Sequence, residues 1–409
     1  MCSISASNAS NSSFSFTPEP EALRITRTVL FSVIAVLALA GNYVVCRAVW
    51  RHNGTKPIAH YLVSNLAFAE IINMVCIVFM FHAYERPWSW ELGSAMCKIL
   101  PSLQVTSSLV ISASLAILAV YRCALLIKPA ITKSTRRNVC LAILFSWMGS
   151  IGLSFPSGHF RVLTSWGDNC ELRFCAEQFP QGLEHYQQIY SVVLFVSNFA
   201  LPLVIMIISY ALVDKKIREH IFVIERLHDE QERASSSVTQ NSVCIQELQS
   251  GQRGLINQPG DKNEEDIQLE YEGKQKSQVF QDTNRRKNKL NKYPDTFELE
   301  NDLLKMIYAL VLVFVICYIP YQVQFLLLEF RVDAFVYWPP RHIFRRLVFT
   351  LTCFPSALHP VCYGLMSRFY RKAFFRIIAC RKYKTWTEVL HHSYLAVAQL
   401  RSLIREHCP

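Results

Sequence analysis

Charge is scarce in this chain. Asp, Glu, Lys and Arg make up only 18% of its 409 residues, against about 25% in an ordinary soluble domain. Hydrophobic residues make up 51%, and they are clustered rather than spread, which argues against a soluble globular protein. The marks of an enzyme are also missing: there is no glycine-rich phosphate loop, no cysteine or histidine at metal-ligand spacing and no nucleophile elbow. His391-His392 is too isolated to count as a metal site. Neither catalysis nor a cofactor is therefore expected. Residues 1–22 are rich in Ser, Asn and Thr and lack the apolar core of a cleavable signal peptide, so the first apolar run is expected to direct membrane insertion. The internal two-fold repetition of spans that would favour a transporter or channel is not visible.

What is present is a series of nearly uncharged runs of about twenty residues, long enough to cross a hydrocarbon core of about 30 Å. They fall near 26–50, 60–84, 99–127, 138–157, 188–213, 303–328 and 343–366. This pattern predicts an all-α fold, a seven-transmembrane helix bundle. The last run carries Arg345 and Arg346 in its first turn and is interrupted by Pro355 and Pro360. Those arginines are expected to reach toward headgroups or into an outer cavity. The expected organisation is an N-terminal tail (1–25), the bundle (26–366) and a C-terminal segment (367–409). Within the bundle, residues 228–297 turn to Gln, Asn, Glu, Lys and Ser without apolar periodicity and are read as a mostly disordered loop between spans five and six.

Basic residues beside the spans set the orientation. Arg47, Arg51, Lys56, Lys128, Lys133, Arg136, Arg137, Lys215, Lys216, Arg218, Arg368, Arg371, Lys372 and Arg376 share one side, which is expected to be cytoplasmic. The N-terminal tail is then extracellular in a multi-pass plasma-membrane protein, and Asn8 and Asn11 in Asn-x-Ser triplets become glycan acceptors. The net charge of +11 is accounted for by this topology and by attraction to anionic inner-leaflet lipid, so no nucleic-acid partner is expected.

Markers along the chain then resemble the rhodopsin-like G-protein-coupled receptors. Gly41-Asn42, Asn65-Leu66-Ala67-Phe68-Ala69-Glu70, Trp90-Glu91-Leu92-Gly93 before Cys97, Trp147, Pro202, Tyr210, Phe314 to Pro320 and His359-Pro360-Val361-Cys362-Tyr363 occur in the family's order and spacing. Twenty-five residues separate Cys97 from Arg122, about 37 Å of helix, so one span reaches both aqueous compartments. The segment Phe369 to Phe375 resembles the family's short amphipathic helix on the inner leaflet, and Cys380 beyond it is a candidate for palmitoylation. A bridge from Cys97 to the loop between spans four and five would pin that loop over the bundle mouth. Cys175 is the preferred partner, with Cys170 free or joined to Cys2.

The resemblance also implies a switch, an extracellular ligand and a heterotrimeric G-protein partner. Arg122 lies in Tyr121-Arg122-Cys123, where the family's acid before the arginine is absent, and Glu300 matches the position that pairs with the arginine across spans three and six. Tyr318, Pro320, Tyr210 and Tyr363 complete the expected switch, and prolines 202, 320 and 360 are expected to bend or loosen their helices. Glu70 lies mid-span and is expected to face the interior, paired, hydrated or protonated. The resemblance implies a sodium-binding role for this acid, which Ile111 and His359, in place of polar partners, put in doubt.

For the ligand, Gln104 stands where amine receptors use Asp, and Cys353 where light-sensing relatives carry Lys. Cys97-Lys98-Ile99-Leu100-Pro101-Ser102-Leu103-Gln104 and Cys175-Ala176-Glu177-Gln178-Phe179-Pro180 resemble the neuropeptide Y and RFamide receptors. In those receptors an acid placed like Glu329 meets an arginine in an amidated peptide. Gln104, Glu329, Tyr84, Phe325, Gln322 and Glu177 are the expected ligand contacts. The alternatives are a receptor-like binding protein or scaffold that does not signal, suggested by Tyr121 and His359, and a transporter or channel.

Overall fold

The structure, a computed structural model, describes residues 19–51, 58–85, 90–127, 136–166, 172–180, 182, 184–252 and 308–378. Seven of its helical segments are long and apolar enough to cross a membrane. The first four spans are single helices: α1 (Glu21–Trp50), α2 (Ile58–Glu85), α3 (Gly93–Ile127) and α4 (Arg136–His159). Glu21 in the first turn of α1 and Arg47 in its last complement the helix macrodipole.

The fifth span comprises α5 (Glu184–Phe195), a π-helical turn (Val196–Ala200) and α6 (Leu201–Gln252). Pro202 has no N–H to donate four residues back, and the helix widens at that place. α6 then continues past residue 228, where the sequence composition pointed to a loop. Residues 228–252 have no apolar stripe and are dominated by Gln, Ser and Glu; the Gln and Glu residues are good helix formers, and the helix extends where periodicity gives no sign. The rest of the expected loop, 253–297, lies outside the described residues, as do Asn8, Asn11, Cys2, Cys170, Glu300 and Cys380.

The sixth span is α7 (Tyr308–Glu329). It ends in a Schellman motif: the Val332 N–H donates to the Leu327 carbonyl at 3.0 Å and the Arg331 N–H to Leu328 at 3.2 Å. Arg331 takes φ 47°, a left-handed conformation that favours glycine. After the short α8 (Asp333–Val336), the seventh span is α9 (Arg341–Leu351) and α10 (Phe354–Met366), broken at Thr352-Cys353 just before Pro355. Pro360, by contrast, sits inside α10 without ending it. α11 (Arg368–Ile378) follows, with Arg371, Lys372 and Arg376 beside Phe369 and Tyr370. A side chain at Gly364 would meet the Phe374 ring at 3.3 Å, so α11 folds closely against α10.

Two compact units can be distinguished, Met1–Tyr210 with Lys305–Pro409, and Ala211–Leu304. In the second, Arg218 pairs with Asp214 at 2.9 Å and Lys216 with Glu219 at 3.2 Å along the helix surface. In the first, helix association relies on close approach and hydrogen bonds, because lipid removes most of the hydrophobic drive between spans. A Cβ on Gly41 would come within 2.8 Å of the Pro360 Cβ. Beside it, the Asn42 amide donates to the Ser356 carbonyl at 2.8 Å. Asn65 donates to Ser114 Oγ at 2.8 Å and accepts from the Trp147 indole at 2.9 Å, joining spans two, three and four.

A hairpin crosses one end of the bundle. β1 (Arg161–Trp166) and β2 (Leu172–Glu177) pair antiparallel, with Leu163 opposite Cys175. Cys175 is bridged to Cys97 at the start of α3, as the sequence led us to expect. Buried Trp90 donates its backbone N–H to the Arg173 carbonyl at 2.7 Å and its indole to the Gly93 carbonyl at 2.9 Å. The hairpin is thereby held to α3 by a covalent bond and by the turn before it.

Candidate functional site

At the disulfide end, the hairpin and the end of α7 bring two of the expected ligand contacts into range. Glu177 ends β2 and is paired with Arg161 at 3.3 Å. Burial pushes its carboxyl up; Arg161 opposes this, and the like charge of Glu329 raises it further. The two acids are therefore close enough to feel each other. Glu329 is half-buried in the last turn before the Schellman cap, and Gln322, two turns earlier, is buried. Half-buried Phe325 lies beside Tyr321, ring centroids 6.5 Å apart. Gln104 is half-buried on α3, and no described hydrogen bond joins its side chain to the two acids. Tyr84 falls in α2, but its side chain lies outside the described residues.

The same end holds a group of charges that the sequence reading missed. Arg27, only 2% exposed in its side chain, donates from Nε to Glu19 Oε1 at 3.0 Å and from its NH2 to Glu19 Oε2 at 3.1 Å. The same NH2 reaches Glu85 Oε1 at 2.6 Å. Arg346 donates to Glu19 Oε2 at 2.8 Å and lies 3.9 Å from Glu85. Burial pushes the Glu19 carboxyl up, but the hydrogen bonds and charges of Arg27 and Arg346 outweigh it and hold the group below the usual glutamate range. Arg346 thus meets the expectation of an inward reach and Arg345 remains exposed. The available sign was charge inside otherwise apolar ends: Arg27 in the first span and Glu85 closing the second.

Midway along the bundle, Glu70 and His359 are both almost wholly buried and His359 Nδ1 contacts Glu70 Oε1 directly. His359 is thus the partner of the acid rather than a missing one. A buried carboxylate costs several kcal/mol unless it is paired, and the imidazole supplies the pairing from the seventh span. Ile111 is buried and, being apolar, offers the acid no hydrogen bond.

Beyond this level the aromatic groups of the expected switch pack together. Tyr318 stacks on Phe314 (4.8 Å), which stacks on Phe199 (5.6 Å) directly after Asn198 of the π turn. Asn198 accepts from Ser108 at 3.2 Å and Ser112 at 3.0 Å, tying that turn to α3. Tyr210 lies 5.5 Å from Tyr308, and Tyr363 lies 5.7 Å from Tyr370, both measured between rings. Arg122 is within electrostatic range of Tyr121, Tyr370 and Tyr210, and its Nε has no hydrogen-bond partner among the described residues. Pro320 lies two residues after Tyr318 inside α7, which runs through it.

These positions define a helical bundle with a pinned hairpin and charged vestibule at one end and an arginine-tyrosine cluster at the other. Residues 41–363 match the 7 transmembrane receptor (rhodopsin family), and the chain belongs to that family. It is a multi-pass membrane receptor of a non-enzymatic class whose partners are an extracellular ligand and a G-protein.

Proposed function

We propose that the chain is a receptor for an extracellular neuropeptide with an arginine in its amidated end, with the N-terminal tail and hairpin facing the cell exterior. The observation that carries the ligand class is the convergence of Glu177 and Glu329 at the disulfide end. Arg161 already serves Glu177 from one side, so a ligand cation in reach of both acids would find Glu329 its main partner, and a guanidinium fits carboxylates through paired hydrogen bonds. The Gln322 amide and the Phe325 ring supply polar and apolar contacts deeper in the same span.

Ligand binding works by differential affinity: the peptide stabilises a conformation in which the inner end of the sixth span swings out and admits the G-protein. Arg122 paired with Glu300 is the restraint we assign to the resting state. Because Tyr121 replaces the adjacent acid, Glu300 carries most of that restraint and basal activity is raised.

The test is a signalling screen of amidated peptides on wild type and Glu329→Ala. An agonist ending in Arg should lose about tenfold or more in potency on the variant, the scale of a lost charge-assisted contact. Equal potency would remove the ionic contact from the scheme. The affinity of such a peptide should also rise with pH through the elevated range of Glu177, since only its ionised form attracts the arginine.

A further inference from the structure

The cluster around Arg27 has the composition of a binding site with an occupant in it. Two arginines and two glutamates balance, and three of the four belong to the helices of spans: Arg27 to that of the first, Glu85 to the last turn of the second and Arg346 to the seventh. Glu19 does not. It precedes Pro20, the residue that caps α1, so it is the one member that can leave without moving a helix. Lifting it out would leave two arginines against one acid, a net positive charge in a partly buried place.

The seat also keeps its shape without Glu19. Arg27 lies over the Phe81 ring at 5.4 Å, that ring stacks on Phe31 at 3.9 Å, and Glu85 holds one guanidinium nitrogen. The guanidinium plane is thus fixed from below by aromatic packing and from one side by the second span. The contacts that Glu19 makes are those any carboxylate can make: a two-point fork from Arg27 and a third hydrogen bond from Arg346. Arg346 is 33% exposed in its side chain, while Arg27 and Glu19 are nearly enclosed, so the open flank lies on the Arg346 side.

We propose that Arg27 and Arg346 form a carboxylate-binding seat, filled in this structure by the chain's own Glu19, which an incoming ligand carboxylate displaces. The seat is separate from the two acids Glu177 and Glu329 and does not depend on the reading of the ligand as a peptide that ends in arginine. The shared chemistry is a carboxylate, from either the tail or the ligand. Because an empty seat leaves buried cationic charge uncompensated, exchange is favoured over vacancy.

The probe is a fluorescent peptide with the sequence of residues 13–20, capped at both ends so that Glu19 supplies its only carboxylate. Its binding is measured on the full-length receptor in lipid nanodiscs. The Glu19→Ala receptor should bind it, and the same peptide with Gln in place of Glu should bind about tenfold or more weakly, the difference between a charge-assisted and a neutral contact. Adding Arg346→Ala should reduce the preference, because one of the two guanidinium partners is gone. Wild type should bind the peptide more weakly than Glu19→Ala, because its tail competes. If Glu19→Ala does not fold, Glu19→Gln, which keeps the side-chain volume, takes its place in the same measurements. Equal binding of the two peptides to the vacated receptor overturns the seat. No binding to wild type at any peptide concentration overturns displacement and leaves Glu19 a permanent clasp.

Discussion

Arg27 and Arg122 are both drawn into the bundle, at opposite ends, and they are held in opposite ways. Arg27 has two carboxylates and an aromatic ring around it. Arg122 has tyrosines in range and an Nε without a partner among the described residues. A guanidinium surrounded by acids gives one up only in exchange for another, since a vacancy leaves a buried, uncompensated charge. Arg122, with phenols in range and Glu300 as the one acid we assign to it, has less to lose by moving. The first arrangement suits an element that holds the spans together and the second an element that changes partners.

The comparison is open to direct attack. The largest effect should come from Arg27→Ala, which leaves two buried or half-buried acids, Glu19 and Glu85, to share the single guanidinium of Arg346. We expect a loss of about 3–5 kcal/mol of stability, read as a lowered melting temperature of the purified receptor. At the other end, Glu300→Ala should leave the melting temperature nearly unchanged while raising ligand-independent signalling. A drop in stability there, or no rise in basal signalling, would erase the distinction between clamp and switch.

A smaller effect lies midway between them. His359→Ala and Glu70→Gln should each destabilise the receptor, and the double variant should cost less than their sum, because it leaves no charge behind. Strict additivity would mean that the pair does not couple spans two and seven.

The smallest effect is that of acid on the clamp. Glu19 titrates below its unfolded value, so its contribution is fully present above the ordinary glutamate range and disappears as pH falls through the lowered value. Thermal stability of wild type should therefore fall more steeply in that acid window than that of Glu19→Gln, and parallel curves would remove Glu19 from the clamp.

Much of the architecture was legible in the sequence because its signals are long. Uncharged runs mark the spans, and the bridge between Cys97 and Cys175 lies where the order of markers indicated. What was not legible depended on partners distant in sequence or on the lack of a pattern. Arg346 meets Glu19 across 327 residues, and nothing local to either residue announces the other. His359 looked like the loss of a polar partner, because a substitution is read against a family pattern, whereas its compensation depends on the acid it touches. The stretch from 228 to Gln252 carries no apolar period, so its sequence indicates a loop where the backbone is helical.

The pairing of Glu70 with His359 also bears on how the receptor is made. Chains are synthesised from the N-terminus, so the second span enters the bilayer 289 residues before its histidine exists. During that interval the acid lacks its imidazole partner, at a cost of about 2.5–3.5 kcal/mol near mid-span. The early spans are therefore provisional lodgers in the lipid, and arrival of the last one makes their residence permanent. A nascent receptor that stalls before its seventh span carries that unmet acid as an internal label of incompleteness.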